Sequence, residues 1–114
     1  MKDVSLIVYT VADMAAAKTF FQQLIGSEPY VDSAQYVGYK SGDMEIGLVP
    51  SRSGSQSPPI PYWTVADIAA SVDALVAAGG TAVQPVTDVG YGLLVASVKD
   101  SNGAVVGLRQ PPKG

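Results

Sequence analysis

The stretch TVAD at residues 10–13 decides the fold, because it returns as TVAD at residues 64–67 in the second half of the chain. Each copy of the motif overlaps the end of an apolar, strand-like run, which is SLIVYT (5–10) in the first half and IPYWTV (60–65) in the second. A helix-like run of small and apolar residues follows each copy and ends at a glycine. The repeat predicts two copies of one supersecondary unit.

Asp13 and Asp67 are predicted to begin the two helices. An aspartate at the N-cap accepts a hydrogen bond from the amides of the first helical turn. Gly26 and Gly80 hold equivalent positions after the helical runs, where glycine supplies the left-handed cap. Capping accounts for both aspartates, so we interpret them as structural residues and not as catalytic ones.

Three short β-prone runs follow each helix. The turn sequences at 41–43 (SGD) and 100–103 (DSNG) precede the last run of each half. Each half is therefore predicted as β-α-β-β-β, which makes an α+β protein of two modules, 1–49 and 60–114. The Pro-, Ser- and Gly-rich segment 50–59 is predicted to be a linker. The predicted strand runs are EPYVD (28–32), QYVGYK (35–40), MEIGLV (44–49), TAVQPV (81–86), YGLLVASV (91–98) and AVVGLR (104–109).

Composition excludes several classes of function. With 47% hydrophobic and 15% charged residues, the chain of 114 residues can fill a core and does not match a disordered segment. The net charge of −3 and the lack of a basic cluster argue against nucleic acid as a partner. The chain has no Cys and no His, so it lacks thiolate nucleophiles and the usual ligands of transition metals.

The apolar runs have the length of strands, and none approaches the ~20 residues of a membrane span. The N-terminal residues MKDVSLIVYT lack the pattern of a signal peptide. We therefore expect a cytoplasmic protein with no membrane partner.

This organisation resembles the vicinal oxygen chelate superfamily, which includes glyoxalase I, extradiol dioxygenases, fosfomycin-resistance proteins and bleomycin-binding proteins. The resemblance covers essentially the whole chain, and the turn at 100–103 is similar to the family's D-P-[DN]-G turn, with Ser in place of Pro. It implies that the curved sheets of the two modules form a ligand-binding cup with the helices outside. It also implies a homodimer.

Metal-dependent members of that superfamily take one metal ligand from the first and the last strand of each module. Carried onto this chain, the positions fall on Leu6 and Gly47 in the first module and on Ile60 and Gly107 in the second. None of these side chains coordinates a metal. The resemblance therefore implies the fold without its shared metal chemistry, and no metal or cofactor is expected.

Alternation along the strands predicts which residues line the cup. Glycine at 47 and 107 is expected to leave an open floor that admits a planar or aromatic group. Glu45 would anchor a cation or act as a base, and Arg109 would hold a carboxylate; the alternative for both is a rim charge in solvent or a mutual ion pair. The candidate ligand-binding residues are Leu6, Val8, Tyr36, Glu45, Gly47, Tyr62, Tyr91, Gly107 and Arg109.

Tyr36, Tyr62 and Tyr91 would stack on a planar ligand or donate hydrogen bonds to it, and core packing is the alternative for each. The leading hypothesis is a metal-independent protein that binds a small organic molecule, similar to bleomycin-binding relatives. One alternative is a metal-independent isomerase or lyase that uses Glu45 and a tyrosine. Another is a protein-interaction module.

Overall fold

The protein is described here by a computed structural model, which covers residues 3–51 and 58–112. Two compact units are present, one formed by Ser5–Ile60 and one formed by Pro61–Gly114 with Met1–Val4. Most of the predicted linker, 50–59, lies outside the described residues. The elements are β1 (Asp3–Val11), α1 (Met14–Ile25), β2 (Val31–Asp32), β3 (Val37–Ser41), β4 (Met44–Pro50), β5 (Ile60–Thr64), α2 (Ile68–Ala77), β6 (Thr81–Asp88), β7 (Leu94–Lys99) and β8 (Val105–Gln110).

The order of these elements is β-α-β-β-β in each half, so the predicted α+β fold of two repeated modules is confirmed. In the part of the chain that the structure describes, neither helix has the length and apolar character that crossing a membrane requires.

The sheet of the first unit has the strand order β2-β3-β4-β1. Strands β1 and β4 run parallel with Leu6 opposite Glu45, whereas β3 and β4 form an antiparallel hairpin. Gly42 turns this hairpin with a φ of 64°, which glycine adopts at low cost. The strand predicted at 28–32 is shorter than expected, because only Val31 and Asp32 pair with β3.

The sheet of the second unit has the order β5-β8-β7-β6. Strands β5 and β8 run parallel with Tyr62 opposite Gly107, and β7 and β8 are antiparallel. In the turn between β7 and β8, the Asp100 carboxylate accepts hydrogen bonds from the backbone N–H groups of Ala104 (2.8 Å) and Asn102 (2.9 Å). These backbone hydrogen bonds lower the pKa of Asp100, because they favour the charged carboxylate.

Both predicted N-caps are confirmed. The Asp13 carboxylate accepts a hydrogen bond from the Ala16 N–H at 3.0 Å, and the carboxylate of Asp67 accepts one from the Ala70 N–H at 3.1 Å. Gly26 has a φ of 84° and ends α1 as predicted.

The C-terminal cap of α2 differs from the prediction by one residue. Gly79, with a φ of 107°, takes the left-handed conformation that the repeat assigned to Gly80. Gly80 instead donates its N–H to the Leu75 carbonyl at 2.9 Å, which closes the end of the helix. The residue spacing that relates Asp13 to Asp67 therefore no longer relates the two copies at the ends of their helices.

Each unit has its own core between its helix and one face of its sheet. In the first, Val37, Tyr39 and Leu48 are fully buried, and Tyr9 and Phe21 pack beside them. The Tyr39 hydroxyl lies 3.4 Å from the Lys18 carbonyl and from the Gln22 side chain, which ties β3 to α1. In the second, the core consists of Val65, Ile68, Ala96 and Leu108, with Trp63, Val72, Leu75 and Leu94 packed against it.

Candidate ligand-binding faces

Each unit has one sheet face that points away from its helix, which we call the helix-distal face. In the first unit Tyr9, Ile46 and Leu48 pack with α1 residues, so the residues that alternate with them point the other way. In the second unit Trp63 and Leu108 pack with α2 residues. The predicted site residues on the helix-distal faces are Leu6, Val8, Glu45 and Gly47 in the first unit, and Tyr62, Gly107 and Arg109 in the second.

The ring of Tyr36 lies over a pair of glycines on the helix-distal face of the first unit. Gly38 and Gly47 are opposite each other in the hairpin of β3 and β4. A Cβ atom added at Gly47 would lie 2.6 Å from the Tyr36 hydroxyl oxygen, and one added at Gly38 would lie 3.0 Å from Cε2 of the same ring. Glycine at both positions is what allows the ring to approach the strands.

The second unit places a tyrosine ring over a glycine in the same way. Tyr62 of β5 lies opposite Gly107 of β8, and a Cβ atom at Gly107 would lie 2.6 Å from Cγ of the Tyr62 ring. Burial raises the pKa of the Tyr62 phenol, which further favours the neutral form that a tyrosine already has around neutral pH, with its O–H available as a donor.

The expectation of an open floor at Gly47 and Gly107 is therefore wrong. The rings of Tyr36 and Tyr62 fill the space that the missing side chains leave. The alternation pattern could not detect this, because it tells which face a side chain is on and not where its ring ends. A glycine inside a strand does, however, indicate that another group approaches the backbone closely, and Gly38 and Gly47 both lie inside predicted strands.

The positions equivalent to the family's metal ligands test whether this chain fits a metal ion. The four equivalent positions hold Leu6, Gly47, Ile60 and Gly107, whose side chains have no donor atom. Among residues 3–51 and 58–112, no group of three or more His, Cys, Asp or Glu side chains is placed to hold a metal ion. The residues present do not fit a metal of this kind.

Sequence reasoning missed Tyr30, which belongs to the helix-distal face of the first unit. Its hydroxyl donates a hydrogen bond to the Glu45 carboxylate. Its ring reaches Gly38, where an added Cβ would lie 3.1 Å from Cε1 and Cζ. The Lys40 ammonium lies 5.2 Å from the centre of the same ring. We call Tyr30, Tyr36, Lys40 and Glu45 the tyrosine–glutamate cluster.

Tyr91 was predicted to begin a strand, but β7 begins at Leu94. Tyr91 lies instead in the turn after β6, where it is fully exposed and has a φ of 57°. Gly90 and Gly92 on either side also have positive φ values, which breaks the strand conformation. The structure thus places Tyr91 in a turn, whereas Arg109 lies on β8 opposite Val95 of β7.

The model of the Glyoxalase/Bleomycin resistance protein/Dioxygenase superfamily matches residues 4–108. The chain belongs to this superfamily, as the resemblance implied. No match was found among curated protein sequences.

Solved structures with a similar fold share little sequence with this chain. A hypothetical protein from Bacillus halodurans C-125 is 12% identical with a TM-score of 0.74, over 99% of this chain and 96% of that one. Methylmalonyl-CoA epimerase from Mycobacterium tuberculosis is 16% identical with a TM-score of 0.71, over 96% and 88%. A superfamily member from Vibrio splendidus 12B01 is 16% identical with a TM-score of 0.68, over 96% and 99%. At these identities the similarity establishes the fold alone.

Proposed function

We propose that this superfamily member binds a small organic molecule on its helix-distal faces without using a metal ion. One observation carries the proposal: tyrosine rings cover Gly47 and Gly107, the positions where metal-dependent relatives would place a ligand. These faces therefore offer aromatic surface and phenol groups in place of a coordination sphere. Such a mixture of aromatic area with a few polar groups is typical of sites for organic ligands.

A planar ligand would gain from this arrangement in two ways. Stacking on a tyrosine ring contributes about 0.5–1.5 kcal/mol beyond simple burial. The Tyr62 phenol keeps its proton around neutral pH and so can donate a hydrogen bond to a carbonyl or carboxylate of the ligand.

A thermal-shift screen of planar and aromatic compounds, followed by calorimetry of the hits, tests the proposal. Replacement of Tyr36 or Tyr62 by Leu should weaken the binding of at least one hit, since it removes a stacking surface. Phe20→Leu is the matched control, because it removes an aromatic ring that is 64% exposed on α1. The Phe20→Leu control should bind like the wild type. If the screen finds no ligand, or if the Tyr36→Leu and Tyr62→Leu variants also bind every hit as tightly as the wild type, the protein-interaction alternative gains support.

The Tyr30–Glu45 hydrogen bond favours a second candidate, a metal-independent isomerase or lyase. In such an enzyme the Glu45 carboxylate would take a proton from carbon next to a carbonyl group and return it to carbon, while Tyr30 holds the carboxylate in place. The structural similarity to a protein named methylmalonyl-CoA epimerase makes a branched acyl thioester a reasonable first substrate.

Hydrogen–deuterium exchange separates this candidate from simple binding. The wild type would be incubated with methylmalonyl-CoA in deuterium oxide, and mass spectrometry would follow deuterium at the carbon next to the thioester. An enzyme of this kind should catalyse the exchange, and Glu45→Gln should abolish it. A rate no higher than that without protein would rule out this reaction for this substrate.

We also propose that the protein is a homodimer, which superfamily membership supports. Size-exclusion chromatography with light scattering should then give twice the chain mass of 11.8 kDa. A mass equal to that of one chain across the accessible concentration range would contradict it.

A further inference from the structure

We infer that the tyrosine–glutamate cluster binds an organic cation, and that Lys40 is the group this cation displaces. The inference rests on the proposed function, because it names the class of ligand for the helix-distal face of the first unit. All four residues lie within that unit.

The two tyrosine rings of the cluster meet at one point on the sheet. A Cβ atom added at Gly38 would lie 3.0 Å from the Tyr36 ring and 3.1 Å from the Tyr30 ring. Both rings therefore pack on the same glycine, on the side of β3 opposite to the buried Tyr39. Two adjacent aromatic rings on one surface are the basic element of sites that recognise alkylated ammonium groups.

Once Lys40 is displaced, the charge left in the cluster is that of Glu45, which favours a cation over an anion. Glu45 lies opposite Lys40 across the hairpin, and its carboxylate accepts the hydrogen bond of Tyr30. That bond uses the edge of the Tyr30 ring, and the negative face of the ring is what attracts positive charge. The Glu45 carboxylate at the hydroxyl end of the same ring adds a second attraction for a cation and repels an anion.

Lys40 already shows that the site accepts positive charge. Its ammonium lies 5.2 Å from the centre of the Tyr30 ring, within the range of cation–π attraction. A lysine ammonium is compact and strongly hydrated, so holding it against a ring gives up favourable hydration. A quaternary ammonium is larger and less hydrated, so its transfer to the ring costs less. Such a ligand should therefore replace Lys40, whose side chain lies on an exposed part of β3.

Titration with choline and with its uncharged isostere 3,3-dimethylbutan-1-ol tests the inference, with binding followed by NMR. Choline should bind to the wild type, and more tightly than the neutral alcohol. Lys40→Met should raise choline affinity by about two- to fivefold, the equivalent of one exposed cation–π contact. Lys99→Met is the matched control, because it makes the same change in net charge at an exposed position of β7.

Two further variants separate the roles of charge and ring. Glu45→Gln should weaken choline binding and leave binding of the neutral alcohol unchanged. Tyr30→Leu should weaken choline binding more than Tyr30→Phe does, since only the former removes the ring.

The inference is overturned if choline does not bind, if the neutral alcohol binds as tightly as choline, or if Lys40→Met and Lys99→Met have equal effects. In any of these cases a neutral hit from the aromatic screen that is weakened by Tyr36→Leu would still support the proposed function. If that screen also finds nothing, both proposals fail.

Discussion

Replacing Gly107 by Ala tests the contact between tyrosine and glycine most directly. At an ordinary strand position this change should stabilise the protein, because glycine in a strand costs about 0.5–1 kcal/mol relative to alanine. At Gly107 the new Cβ would lie 2.6 Å from Cγ of Tyr62. Rotation of the ring about χ2 leaves Cγ in place, so relieving this contact requires the whole ring to move off Gly107 through a change of χ1 or a shift of the backbone. Overpacking of this kind costs about 1–3 kcal/mol, and Gly107→Ala should therefore destabilise the protein.

Urea unfolding of a double-mutant cycle measures this effect. In the wild-type background, Gly107→Ala should lower the free energy of unfolding by about 1–3 kcal/mol with an unchanged m value. In a Tyr62→Ala background the space above residue 107 is vacated, so the same change should be neutral or stabilising by up to about 1 kcal/mol. The resulting coupling of about 2 kcal/mol is within the range for residues in contact. An equal cost in both backgrounds would refute the contact.

Gly47→Ala provides a graded comparison. The nearest atom to its added Cβ is the hydroxyl oxygen of Tyr36, at 2.6 Å, which is the far end of a side chain that can move. The cost should therefore be smaller than at Gly107, and Tyr36→Phe should reduce it further because it removes that oxygen. A larger cost at Gly47 than at Gly107 would contradict this reasoning.

Three further predictions follow from the caps, the β7–β8 turn and the donor set. Replacing Asp13 or Asp67 by Ala should cost about 1 kcal/mol in urea unfolding and replacement by Asn much less, whereas a loss of ligand binding at unchanged stability would make the aspartate functional. Because folding lowers the pKa of Asp100, its stabilisation should be complete above the unfolded value of about 3.9 and lost as pH falls through the lower folded value. Asp100→Asn should reduce this loss of stability at low pH. If the pH dependence of stability is unchanged in the variant, Asp100 does not cause it. Protein purified without an affinity tag should contain no stoichiometric Zn, Fe, Ni or Mn by elemental mass spectrometry, and one equivalent removed by a chelator with loss of structure would contradict this.

The sequence predicted the elements that local chemistry determines. Asp13 and Asp67 mark the helix starts because a capping carboxylate acts on amides only three residues away. The hairpin turns at 41–43 and 100–103 are also local, since their glycines adopt positive φ values within the turn itself.

Two element boundaries were predicted wrongly, one from the repeat and one from a β-prone run. The pairing of Gly26 with Gly80 assumed a constant offset, but α2 ends so that Gly79 takes the left-handed position. Tyr91 was assigned to a strand from its apolar neighbours, although Gly90 and Gly92 beside it indicate a turn. In both cases a neighbouring glycine with a positive φ marks the observed helix end or turn.

The candidate site was harder to predict than the fold, because the two modules cover their glycines from different parts of the repeat. In the second module the ring comes from Tyr62 on the first strand, the parallel neighbour of Gly107. In the first, the residue at that place in β1 is Val8, opposite Gly47, and the ring comes from Tyr36 just before β3. A glycine leaves a gap on the sheet that any nearby ring can fill, so the repeat fixes where the gap lies and not which residue fills it. The pair of rings at Gly38 exists only because the first module uses a residue outside its first strand, and for this reason the cation site is inferred for that module alone.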